Sequence, residues 1–170
     1  MSVSSLRERQ APLKARYKED PSAAMVTLRA RGRVLQDRVA CALETGKPGV
    51  PAGLHPAAGG DGSDACSGDM LLEAIVGCAG VTLAAVATAM GIALGDDATV
   101  WAEGDLDFRG TLGVAKDVPV GFSKIRLTFA LGTAVDPAKA AKLVELTERY
   151  CVVLQTLSTP PSIEVVSRAF

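Results

Sequence analysis

An α+β fold is predicted by three features of the sequence. A run of 25 residues from Met70 to Leu94 carries one charge, Glu73, and has the length of a long helix. On both sides of it lie segments in which apolar residues alternate with charged or polar ones, the period of a half-buried strand. Near the end, an Asp-Pro step opens a second stretch with apolar residues at helical spacing. Strand pairs set apart by helices, without a strict strand–helix repeat, belong to the α+β class. At 170 residues, with 48% hydrophobic side chains, the chain is long enough for one domain around one core.

Residues 1–22 are polar and charged and hold Pro12 and Pro21, so they read as an N-terminal extension, with a short helix at 5–18. Residues 23–170 read as the domain. Val26, Leu28 and Ala30 alternate with Thr27, Arg29 and Arg31, which predicts a first strand from Ala24. Gly32 and Arg33 interrupt it, and a second strand follows from Leu35 to Leu43, giving an N-terminal hairpin. Residues 47–64, KPGVPAGLHPAAGGDGSD, hold three prolines and five glycines and read as a long loop containing His55. The central helix follows, with Ser67 or Asp69 placed to cap its start. Gly77 and Gly80 beside Cys78 predict a close contact or a kink, because an interior glycine costs about 1 kcal/mol relative to alanine. A strand pair is expected at 99–112 and 123–131. Asp136 then caps a helix with Pro137 in its first turn, and Leu143, Leu146, Tyr150, Val153 and Leu157 form its apolar stripe. Pro160 and Pro161 end it, and 162–166 reads as a last strand.

The central run is long enough to span a bilayer. It lacks aromatic or basic anchors, contains Glu73 and runs into Asp96 and Asp97, so it reads as a buried helix of a soluble protein. Five strands are too few to wrap a helix this apolar, which predicts that a second subunit shares the core. The formal net charge is −1, so nothing in the total points to nucleic acid, although 9 of the 18 basic residues precede Val39. The start MSVSSLRERQ has no apolar signal region, and the expected location is the cytoplasm.

Cys41, Cys66, Cys78 and Cys151 are irregularly spaced, and His55 is the sole histidine, so a Cys/His metal site has little support. Cys78 and Cys151 fall on the two main helices. One reading makes them buried apolar side chains. The other makes them a redox pair, in which Cys78 is oxidised by peroxide to a sulfenic acid and Cys151 condenses with it. That requires Cα atoms within about 4.4–6.8 Å and a group that lowers the thiol pKa. Arg31 and Arg33 are candidate cations, Asp69 is a candidate carboxylate to orient one of them, and Cys66 is a rival resolving thiol.

CSGDMLLEAIVGCAGVTLAAVA resembles the central-helix motif of the OsmC/Ohr family, and ERYCVVLQTLSTPPSIEV resembles its second-cysteine helix and terminal strand. The resemblance covers Val26 to Val166. It implies antiparallel sheets wrapped around buried central helices in an intertwined homodimer, with two interface sites. It also implies a thiol-dependent peroxidase for organic hydroperoxides, with Cys78 as nucleophile and Cys151 as resolver. Arg33, with Arg31 behind it, matches the supporting arginine, and Asp69 stands near the family's glutamate. A dithiol such as a lipoyl group, or another thiol, is the implied reductant, and no metal or organic cofactor is implied. Against this stand a binding dimer whose cysteines only pack, and a thiol sensor that oxidises without turnover.

Overall fold

The structure, a computed structural model, describes Glu19 and residues 31–35, 40–44, 50–94, 98–113, 115–132 and 135–168; for 31–35 and 40–44 the backbone alone is described. The elements are β1 (Arg31–Leu35), β2 (Ala40–Glu44), β3 (Pro51–Gly53), a 3₁₀ turn (Pro56–Ala58), β4 (Ala65–Cys66) and α1 (Ser67–Met90). They continue with β5 (Thr99–Leu106), α2 (Phe108–Thr111), β6 (Phe122–Ala130), α3 (Pro137–Tyr150) and α4 (Val152–Ser158). The mixture is α+β, as the sequence implies. The chain divides into two compact units, one of Met1–Glu73 with Ala102–Leu127, the other of Ala74–Trp101 with Thr128–Phe170.

The first unit is built on a sheet of order β1-β2-β3-β4. A hairpin is present, but not with the predicted turn: Gly32 and Arg33 lie inside β1, Leu35 ends it, and Arg33 pairs with Ala42. The expected strand at 24–30 and the helix at 5–18 fall outside the described residues. The stretch expected to be a plain loop supplies β3, antiparallel to β2, with Ala40 opposite Gly53. The two residues that follow it, Ala65–Cys66, form β4, parallel to β3, so the sheet is not wholly antiparallel. Three-residue and two-residue strands leave too short a period for sequence alternation to reveal. Strand β5 alternates exposed and half-buried side chains along its length and pairs with β6 in a two-stranded sheet. The predicted strand to residue 112 stops at Leu106, because α2 takes up 108–111.

The second unit holds most of α1. Ile75, Ala79, Leu83 and Ala87 form its buried stripe at four-residue spacing. Leu83 and Ala87 pack with Leu143 of α3 in a core flanked by Val86, Ile92, Val100 and Phe129. The helix ends at Met90, earlier than the apolar run predicts. Gly91 has φ of +68°, and the Ile92 amide donates to the Ala87 carbonyl at 2.9 Å, a left-handed helix stop. The opposite face of α1 is open within the chain: Val81 is 73% exposed, and Ala74, Gly77 and Ala84 are exposed with it. Among the described residues a Cβ at Gly77 or Gly80 would meet nothing within 4 Å, so neither glycine marks a close contact with them. The helix is long and apolar enough to cross a membrane, and 22% of its most apolar stretch is buried within the chain.

Asp136 caps α3 as expected: its carboxylate accepts from the Ala138 and Lys139 amides at 3.0 and 3.2 Å. The single predicted helix is two. Cys151, with φ −74° and ψ 105°, stands between α3 and α4. Its amide donates to the Thr147 carbonyl and its carbonyl accepts from the Gln155 amide, both at 2.9 Å, so one residue closes one helix and opens the next. The buried stripe is Leu143, Thr147 and Cys151, not the predicted apolar set; Tyr150 is 58% and Leu157 38% exposed. Thr147 is tolerated there because its hydroxyl donates to the Leu143 carbonyl at 2.8 Å. The predicted last strand is absent among the described residues. Ile163 and Val165 are 84% and 90% exposed, and among the described residues no strand pairs with this segment.

Candidate active site

Cys78 lies on α1, three positions past the buried Ile75, and is half-buried. Cys151 occupies the α3–α4 break and is fully buried. Both belong to the second unit as free thiols, and the fold brings them close enough for each to shift the other's pKa. Two residues 73 positions apart in sequence thus share one site.

The break in the helix gives the site its electrostatics. The amides that open α4 have no carbonyl four residues back within their own helix. Those of Val152 and Val153 act on the Cys78 thiol as donors that lower its pKa. Burial pushes the Cys78 thiol up, but the Val153 amide, the Cys151 thiol and the Val152 amide together outweigh it, and its pKa lies below the ordinary value. Thr82 also stands at this sulfur. Its hydroxyl has one proton, however, and donates it to the Cys78 carbonyl at 2.7 Å, so the thiolate rests on the two amides and Cys151. Cys151 is displaced in the opposite direction. Burial pushes it up, the Leu154 amide works against burial, and the hydrogen bond and negative charge of Cys78 push it further up. The two thiols are thus displaced in opposite directions, Cys78 toward the thiolate and Cys151 toward the protonated form.

This is an arrangement for nucleophilic sulfur chemistry with a second sulfur in waiting. Among the described residues no cluster of His, Cys, Asp and Glu is suited to hold a metal.

The other sequence candidates are placed as follows. Arg33 and Arg31 are in β1, and their side chains lie outside the described residues. Asp69 is exposed in the first turn of α1, nine residues before Cys78. Cys66 ends β4 and is half-buried. His55 caps the 3₁₀ turn, its Nδ1 accepting from the Ala57 amide at 3.0 Å, and its ring stacks on Phe108. The Val152 and Val153 amides are absent from the sequence candidates because backbone donors carry no side-chain signature. Thr82, four residues after Cys78, does carry one: a mid-helix threonine at that spacing bonds back to the earlier carbonyl.

Residues 60–166, more than half of the chain, match the family described as OsmC-like protein. The fold is similar to that of an OsmC-like protein from Mycoplasma pneumoniae, 12% identical, with a TM-score of 0.66 over 79% of this chain and 89% of that one. It is also similar to an organic hydroperoxide resistance protein OsmC from Legionella pneumophila, 17% identical, with a TM-score of 0.61 over 79% and 91% of the two chains. A third similar structure is the organic hydroperoxide resistance protein OhrB of Bacillus subtilis, 18% identical, with a TM-score of 0.53 over 79% and 93%. No curated protein sequence matches the chain. At these identities the structural likeness is one of fold.

Proposed function

The chain belongs to the OsmC-like protein family, and from that membership and its paired thiols we propose that it is a thiol-dependent peroxidase reducing organic hydroperoxides. Two proteins of similar fold are named for organic hydroperoxide resistance, which supports a peroxide-directed chemistry. The observation that carries the finer reading is the Cys78 sulfur, held by two amides and the Cys151 thiol with its pKa lowered.

The reaction follows from that asymmetry. The Cys78 thiolate attacks the outer oxygen of the hydroperoxide, an S–O bond forms and the O–O bond breaks. The alkoxide leaves and takes a proton to become an alcohol, and Cys78, oxidised by two electrons, becomes a sulfenic acid. Loss of the Cys78 charge removes one of the causes that hold Cys151 protonated. Cys151 then attacks the Cys78 sulfur, the S–S bond forms, the S–O bond breaks, and hydroxide leaves with the Cys151 proton as water. A dithiol or thiol supplies the two electrons that restore both cysteines. Cys151 is fully buried and Cys78 is not, so the reductant attacks at Cys78.

In this reading Arg33 polarises the peroxide and supports the thiolate, and Asp69 orients the arginine. A second copy of the chain covers the open face of α1 and pairs with the extended 159–168 segment, making an intertwined cytoplasmic homodimer. The exposed Val81, Ile163 and Val165 support that assembly, since each leaves apolar surface in water within a single chain. The reading calls for no metal or organic cofactor.

The test is catalytic. Steady-state consumption of cumene hydroperoxide with a dithiol reductant is expected for the wild type and lost in Cys78→Ser. Oxidation to the disulfide without turnover would mark a redox sensor. Equal consumption by a variant lacking both Cys78 and Cys151 would mark the thiols as packing.

A further inference from the structure

The first unit contains a cavity of about 370 Å³ that the thiol chemistry does not use, since neither Cys78 nor Cys151 lines it. The geometry points to a second small-molecule site there, one that takes a neutral, largely apolar compound of aromatic size.

The volume lies within the range of about 300–1,000 Å³ found for small-molecule sites. The walls are mostly apolar, with Leu54, Leu71, Leu106 and Val120 among them, together with the rings of Phe108 and Phe122. Among the described side chains no Lys, Arg, Asp or Glu lines the cavity. An ionised ligand would give up its hydration against these walls, so they favour neutral molecules. The ring walls are held in place. His55 and Phe108 stack with centroids 5.0 Å apart and planes 25° from parallel. Phe122 sits where two glycines make room for it: a Cβ at Gly104 would come within 2.5 Å of its ring, and one at Gly68 within 3.3 Å. A Cβ at Gly68 would also lie 3.6 Å from the Cys66 sulfur.

The polar side chains in the lining are His55, Cys66, Ser67 and Thr111. His55 Nδ1 accepts from the Ala57 amide at 3.0 Å, an N–H that can only donate, so the proton of the neutral ring is on Nε2. Leu54 and Val120, 43% and 62% exposed, leave apolar surface at the cavity that an occupant would cover. Cys66 lines the cavity and supplies a chemical reporter for occupancy.

The full chain is titrated with N-phenyl-1-naphthylamine, a neutral fluorescent amine. Saturable 1:1 binding is expected, displaced by 2-naphthol and not by 2-naphthoate. Peptide mass spectrometry then follows alkylation of each cysteine by N-ethylmaleimide. With probe at ten times its Kd, alkylation of Cys66 falls about tenfold by mass action, while that of Cys78 is unchanged. Ala58→Trp, which fills the cavity from the 3₁₀ turn, abolishes binding and leaves peroxide turnover intact. Absence of saturable binding, equal competition by the carboxylate, or unprotected Cys66 at saturation each overturns the proposal. The protection measurement is made on the wild type and stands even where Ala58→Trp fails to fold.

Discussion

At the scale of single residues, the pair of thiols differs in what surrounds each sulfur rather than in what each sulfur is. Cys78 faces donors, and Cys151 faces burial and the charge of Cys78. A lowered pKa means that the thiolate fraction of Cys78 at a given pH exceeds that of an ordinary thiol and falls as the pH drops through the lowered value. Its alkylation rate is therefore expected to reach its plateau at lower pH than a free thiol, whose pKa is about 8.5. Cys151→Ala removes one donor and shifts the profile to higher pH, whereas Cys151→Ser keeps a donating hydroxyl and holds the profile low while losing the disulfide. Iodoacetamide rates measured across pH on the three proteins check this; coincident profiles for the alanine and serine variants would contradict it. The cysteines were legible in the sequence as residues on two helices. The direction of each pKa was not, because it depends on backbone amides that a one-letter sequence does not distinguish.

At the scale of elements, the decisive feature is the break at Cys151. The sequence shows a continuous apolar period through Tyr150, Val153 and Leu157, yet the helix stops and restarts, and the restart turns two amides toward Cys78. Proline at position 152 tests that arrangement. It would occupy the first helical position of α4, where proline is favoured, and follow a residue already extended at ψ 105°. Val152→Pro is thus expected to fold, to lose one donor to the sulfur, and to raise the Cys78 pKa in the same alkylation assay. An unchanged profile in a folded protein would remove Val152 from the account. Other elements show the same split between what local chemistry dictates and what context decides. The Asp136 cap, set by residue type and spacing, is present as read. The end of α1 was missed because one left-handed glycine, Gly91, outweighs three further apolar residues. The short β3 and β4 were missed because they exist only through pairing with neighbours.

At the scale of the molecule, the sequence announced a helix too apolar for its own chain, and the structure shows where the excess lies. One stripe of α1 is buried, and Val81 stands on the other side with the exposed Ala74, Gly77 and Ala84. Burying a side chain of that size contributes about 1.5–3 kcal/mol, so a homodimer covering the face would be sensitive to charge there. Val81→Arg is expected to convert a dimer to a monomer in sedimentation velocity; a wild type that sediments as a monomer at all concentrations would contradict the assembly. The family was legible because both cysteine segments are nearly contiguous motifs. The residues meant to assist, Arg33 and Asp69, were not settled by motif, since their partners depend on how distant segments meet. The central claim is that Cys78 and Cys151 act as one redox pair. Its most direct test is peptide mapping after one equivalent of cumene hydroperoxide. The account predicts a Cys78–Cys151 disulfide, with two hydrogens lost from the intact mass, and no reaction in Cys78→Ser. A free Cys78 in folded protein exposed to excess hydroperoxide would contradict it.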